Sequence, residues 1–311
     1  MDPEFVVTAL SVQMPGILRW AGGIAREMRR HNISLVGKKN SGSAATDALT
    51  LADLTIQELL VAALRDTDPI FRCCRIEAEE TTGDIQRFST HSPLVIALDP
   101  IDGTKQYRDR TGNGYAILLH LRNADQVLYS LSYLPEKGPH GWWVEAYEDH
   151  LAVGPDDPQR PALDVLRSLP TINPQQRLLG RQIYLIGFQH REHEAARRVT
   201  ATGLVGVPSD EMSGSLYDLL ASGEFAGALI HTPNVYDFPI ALQIARLLGG
   251  DAVWVHNGQS VHFRETWRDE RAAMTRLPGI VACAADPDIL TTLVEVACSW
   301  NPERYRSGDE L

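Results

Sequence analysis

Two aspartates stand at the end of a short apolar run, in the string Leu98-Asp99-Pro100-Ile101-Asp102-Gly103-Thr104. The run before them, Pro93 to Leu98, has the length of a buried strand. Strand ends are where open α/β sheets place their ligands. The Pro-containing turn between Asp99 and Asp102 lets both carboxylates face one point. Upstream lie Glu79 and Glu80, and between Glu77 and Asp102 six acids stand against one base, Arg87. Converging carboxylates repel unless a cation sits among them. An all-oxygen donor set suits a hard ion, Mg²⁺ or Ca²⁺. Taken singly, the same residues also fit plain roles. Asp-Pro and Asp-Gly are common turn pairs, and Asp237, with Pro239 two residues on, reads as a helix N-cap.

Joint spacing separates these readings. The string 98–104 resembles the signature of the inositol monophosphatase family, which stands with fructose-1,6-bisphosphatase and the 3'-phosphonucleotide phosphatases. Glu79 lies 20 residues before Asp99, where the family has its Glu-Glu pair. Asp47-Ala48-Leu49-Thr50-Leu51-Ala52-Asp53 is similar to the family's D-x-V-T-x-A-D helix start, and Lys38 or Lys39 stands where it keeps a basic loop residue. Downstream, Ser213-Gly214-Ser215 resembles its G-S motif. Tyr236-Asp237-Phe238-Pro239-Ile240-Ala241 resembles W-D-x-A-A-G, with Gly249-Gly250 following.

The resemblance implies an α-β-α-β-α layered sandwich and a Mg²⁺-dependent phosphomonoesterase that uses two to three ions, Mn²⁺ being an alternative. Carried over by motif, Glu79, Asp99, Asp102, Asp237 and the Ile101 carbonyl would be metal ligands. Asp53 would hold a weaker metal through water. Thr104, Glu79 and Asp53 would form the catalytic set, with Thr104 holding the attacking water. Gly103, Thr104 and Ser215 would contact phosphate or substrate. His190 would match a substrate-contacting His of the phosphonucleotide branch. The family also implies lithium sensitivity and a homodimer.

Departures bear on the substrate. Leu229 to Asn234 contains no acid where inositol phosphatases carry a substrate-binding Glu, and the segment around His190 lacks the serines of the S-R-S-H motif. The substrate is therefore expected to be a small phosphorylated metabolite. A 3'(2')-phosphonucleotide and a pathway-specific biosynthetic intermediate stay open, and a catalytically silent binding protein is the contrasting reading.

The elements that must position these residues alternate between helix and strand, which indicates α/β layering. Helices are expected over residues 12–29 and in the stretch holding Leu51, Leu54, Leu59 and Leu64. Paired strands are expected at 115–121 and 127–134. In the second half, strands are expected at 182–188, 225–230, 252–255 and 280–284, with helices at 192–201, 213–222, 238–248 and 289–298. The division is an N-terminal half at 1–153 with the main metal motif, a Pro- and Asp-rich linker at 154–178, and a C-terminal half at 179–311 that supplies Asp237. Trp142, Trp143 and Trp254 fit core or interface equally.

Composition narrows the partners. A net charge of −11 with no basic stripe argues against a nucleic-acid polymer. No apolar run approaches the ~18 residues of a membrane span, and no signal-peptide pattern opens the chain. The four cysteines lack metal-ligand spacing. Together these lead to the expectation of a cytoplasmic protein in a reducing compartment.

Overall fold

The computed structural model describes residues 2–31, 33, 35, 48–305 and 311. Lys38, Lys39 and Asp47 lie outside the described residues. In chain order the first half is built of α1 (Pro3–His31), α2 (Leu51–Thr67), β1 (Arg75–Ala78), β2 (Val95–Asp102), α3 (Thr104–Asp109), β3 (Ala116–Arg122), β4 (Val127–Leu134), β5 (Trp142–Tyr147), β6 (His150–Pro155) and α4 (Ala162–Ser168). The second half holds β7 (Gln182–Ile186), α5 (Glu192–Ala201), β8 (Val205–Pro208), α6 (Leu216–Ser222), β9 (Phe225–His231), α7 (Phe238–Leu247), β10 (Asp251–Trp254), β11 (Trp267–Asp269), β12 (Met274–Arg276), β13 (Ile280–Ala284) and α8 (Pro287–Ala297).

The first sheet runs β1-β2-β3-β4-β5-β6 and the second β10-β13-β9-β7-β8. Only β1/β2 is parallel in the first sheet, whereas β9, β7 and β8 are parallel in the second. Side chains alternate across a strand, and β3 shows the consequence. Ile117, Leu119 and Leu121 enter a core shared with α1, α2 and α4. Ala116 and Leu118 enter another, against α6, α7 and one face of the second sheet. The second sheet's far face closes on α5 and α8. The layers are therefore α-β-α-β-α, as the family resemblance implies. Trp143 and Trp254 are core residues, and all four cysteines are free. No described helix is long and apolar enough to cross a membrane.

Several elements differ from the sequence reading, among them three stretches that it placed otherwise. The helix α1 begins at Pro3 and runs through Pro15, whose buried ring is accommodated inside it. Stretch 154–178 includes the end of β6 and the two-turn helix α4, whose Ala162, Val165 and Leu166 pack into the first core. The helix expected from Ser213 starts at Leu216, because Ser215 is still extended at its N-cap.

Two loops meet backbone to backbone in the centre. A Cβ built on Gly114 would lie 2.1 Å from the carbonyl carbon of Gly214, and Gln106 Nε2 donates to the Met212 carbonyl at 2.7 Å. Only glycine permits that approach. Gly114→Ala is expected to cost about 3 kcal/mol by overpacking and to push the Gly214-Ser215 loop off its seat. Urea unfolding midpoints check the stability loss.

Candidate metal and phosphate site

The parallel register of β1 on β2 explains the 20-residue spacing of the acids. Arg75 pairs with Val95 and Ala78 with Leu98, an offset held along the whole pair. The Glu79 amide then donates to the Leu98 carbonyl at 3.2 Å, so Glu79 and Asp99 emerge side by side. Asp102 follows past an irregularity in the β2/β3 pairing. The Asp99 carboxylate accepts from the Ile101 amide at 3.0 Å and fixes the turn between them. Gly103 completes the turn at φ +83°, a conformation that glycine adopts without strain.

Asp237 arrives from the other half, at the N-cap of α7. Asn234 sets it in place: its Oδ1 accepts from the Tyr236 and Asp237 amides at 2.8 and 3.1 Å, and its Nδ2 donates to Asp237 Oδ2 at 2.8 Å. Carboxylate oxygens of Asp99, Asp102 and Asp237 lie within 4.8 Å of one another. Burial, reinforced by the charges of Glu79, Asp102 and Asp237, holds the Asp99 carboxyl well above the usual range. Asp102 is raised by burial and by Asp237 and Glu79, against a hydrogen bond from Tyr217. Burial raises Asp237 to about 6, with Asn234 opposing and Glu79 adding. Such a set is at odds with itself unless a cation neutralises it. Oxygen-only donors fit Mg²⁺ or Mn²⁺.

Behind the acids, Thr104 Oγ1 lies 2.8 Å from the Ile101 carbonyl and 3.0 Å from Asp53 Oδ1. The other Asp53 oxygen accepts from the Thr50 amide and hydroxyl at 2.7 and 2.6 Å. Asp53 is almost wholly buried and does not line the cavity, so it reaches the site through Thr104. Burial, only partly offset by the Thr50 and Thr104 hydrogen bonds, raises its carboxyl to about 6.

These residues open on one cavity of about 390 Å³. Glu79, Asp99, Ile101, Asp102, Gly103, Thr104 and Asp237 line it, as do Ser215 and His190. The Ser215 hydroxyl is buried and has no partner among the described residues. All the site residues expected from the sequence are thus on the cavity except Asp53. Sequence reasoning missed Tyr217, a buried residue that lines the cavity beside Asp102, and Asn234, which positions Asp237. An Asn three residues ahead of an N-cap Asp is a local signal for the second.

A family model, the inositol monophosphatase family, matches residues 15–273. The chain belongs to the inositol monophosphatase family. No curated protein matches it in sequence. Solved structures share the family's fold at low identity. The extragenic suppressor protein SuhB from Bartonella henselae is 16% identical, with a TM-score of 0.59 over 95% of this chain and 98% of its own. CysQ from Bacteroides thetaiotaomicron is 17% identical, with a TM-score of 0.60 over 89% and 98%. An IMPase/NADP phosphatase complexed with Mg²⁺ and phosphate is 15% identical, with a TM-score of 0.61 over 92% and 95%. Membership in the inositol monophosphatase family makes the chain a phosphatase by family.

Proposed function

We propose that the protein hydrolyses the phosphate monoester of a small metabolite with Mg²⁺, by direct attack of water. One observation carries this reading: carboxylates from both halves converge on a single cavity beside a threonine that is itself held by a buried aspartate. The solved relative holding Mg²⁺ and phosphate supports it. Glu79, Asp99, Asp102, Asp237 and the Ile101 carbonyl would hold two to three divalent ions. When bound, the ions neutralise the phosphoryl oxygens and the leaving oxygen and make a bound water more acidic.

The chain's own groups do the rest. Thr104 Oγ1 accepts a hydrogen bond from the attacking water, aims its lone pair at phosphorus, and hands a proton toward Asp53. A carboxyl near pH 6 is matched to that exchange. The Gly103 and Thr104 amides would donate to phosphate oxygens, and Ser215 and His190 would contact the remainder of the substrate. Both halves of the chain contribute residues to the cavity wall.

A panel of phosphate esters with Mg²⁺ and free-phosphate readout tests the proposal. Metal-dependent release from at least one ester is expected, and none from any ester in a folded, metal-loaded protein would refute it. Thr104→Val is expected to lower kcat by about 10²–10³ with little change in KM. Thr104→Ser keeps the hydroxyl and is expected to stay within about tenfold of the parent. Steady-state kinetics on both variants checks the pair.

A further inference from the structure

Besides the acids, the cavity lining carries two buried arginines, Arg276 and Arg304. Gly187 follows β7 and Thr232 follows β9, so the two parallel strands end side by side at the cavity. Arg304, from the segment after α8, bridges these ends. Its Nη1 donates to the His231 carbonyl at 2.8 Å, to Thr232 Oγ1 at 3.0 Å and to the Gly187 carbonyl at 3.3 Å. Arg276, closing β12, donates through Nη1 to the Thr232 carbonyl at 3.1 Å and through Nε to Asp269 at 2.7 Å. Both arginines line the cavity, and both are about 95% buried, at 4% and 5% exposure.

The charges on this wall do not balance. Among the described residues Asp269 is the one carboxylate the pair shares, and it already accepts from Arg276 and from the Tyr305 hydroxyl, each at 2.7 Å. Arg304 Nε stands 4.0 Å from it, a long ion pair beyond hydrogen-bond reach, and has no other partner among the described residues. The nearby wall acid, Glu192, spends its oxygens on the Gly187 amide and on Ser209. Among the described residues every hydrogen bond of Arg304 thus goes to a neutral group, and two buried guanidiniums share one carboxylate. Such a buried excess of positive charge is costly, and an anion in the cavity would offset that cost. The acid cluster repels a second anion, so the arginine wall is the place for one. Guanidinium groups offer only donors, which suits a carboxylate or phosphate better than a polyol.

We propose that the substrate carries, besides its phosphate ester, a second anionic group that binds at Arg304 with Arg276 behind it. The proposal rests on the phosphatase reading of the same cavity and names the substrate class within it. The strand ends then form a selectivity wall, and neutral polyol phosphates are poor substrates.

Two experiments test it. The first compares ω-carboxyalkyl phosphates with n-alkyl phosphates of the same length, two to six carbons, in Mg²⁺. At one length the carboxylate ester is expected to be favoured at least about tenfold in kcat/KM. Arg304→Gln is expected to bring that ratio to parity, and Arg304→Lys to retain part of it. A flat ratio at all lengths in the parent protein overturns the subsite while leaving a phosphatase. The second needs neither turnover nor metal: calorimetric titration of the metal-free protein with inorganic sulfate. Saturable binding, weakened at least about tenfold in Arg304→Gln, is expected. Equal binding by a folded Arg304→Gln protein overturns the proposal. Sulfate binding through Arg304 in a protein that hydrolyses no ester supports the subsite and refutes the reaction.

Discussion

Asp102→Asn is expected to lower kcat by about 10³ or more while the protein folds as before. Asp102 sits where the acids of β2 meet Asp237, and its carboxylate oxygen lies within 4.8 Å of theirs. Asparagine keeps the shape and one acceptor oxygen. It removes a full charge from the set that must hold a divalent ion. Stability should move the other way. In the metal-free protein the Asp102 carboxylate is disfavoured by burial and by Asp237 and Glu79. Removing that charge relieves repulsion, so the metal-free variant is expected to melt at or above the parent temperature. Phosphate release in Mg²⁺ and thermal unfolding in EDTA measure the two halves separately. Parent-like turnover would remove Asp102 from the site. Collapse of the fold in EDTA would mean that the residue is structural instead.

How far the site can be read from sequence depends on how local its physics is. Glu79 is legible only through its motif spacing to Asp99; the parallel strand pair that turns this offset into adjacency is not visible in the sequence. Asp99 and Asp102 were legible because a Pro-containing strand end has its own signature. Thr104 was legible by motif, but its link to Asp53 crosses 51 residues and exists only after α2 packs on β2. Tyr217 carries no local sign of its place, since it joins Asp102 on the cavity wall only when α6 lies against the first sheet. Arg304 sits in a stretch with no periodicity, and its role depends on two strands ending together. The fold shows the same division. Helices α5 and α7 have apolar faces that sequence reveals, and β13 is bounded by turns. Strands β5 and β6 escaped notice because the interior positions of β5 are buried on both faces, which erases the alternation that marks a half-exposed strand. The Pro- and Asp-rich surroundings of α4 hid a helix only two turns long.

Divalent ions are expected to raise the melting temperature, and to raise it more as pH increases. The cause is the same repulsion that pushes the acids up. Asp237 goes from an ordinary carboxyl near 3.8 when unfolded to about 6 when folded, and Asp53 shifts likewise. A carboxyl whose folded pKa is raised binds more protons folded than unfolded between those two values. Stability of the metal-free protein therefore falls as pH rises from about 4 through 6, and stays low above. A bound cation reverses the preference, because it favours the ionised form of every ligand. The two effects diverge with pH, so the increment from 5 mM Mg²⁺ or Mn²⁺ should be small at pH 5 and large at pH 8. At ligand near 100 times its dissociation constant the gain is about 2.7 kcal/mol, which corresponds to a shift on the order of 5 °C in a chain of this size. Calorimetric scans with metal and with EDTA across that pH range provide the measurement. An increment that does not grow with pH would mean that the acids meeting at Asp237 are not where the ion binds.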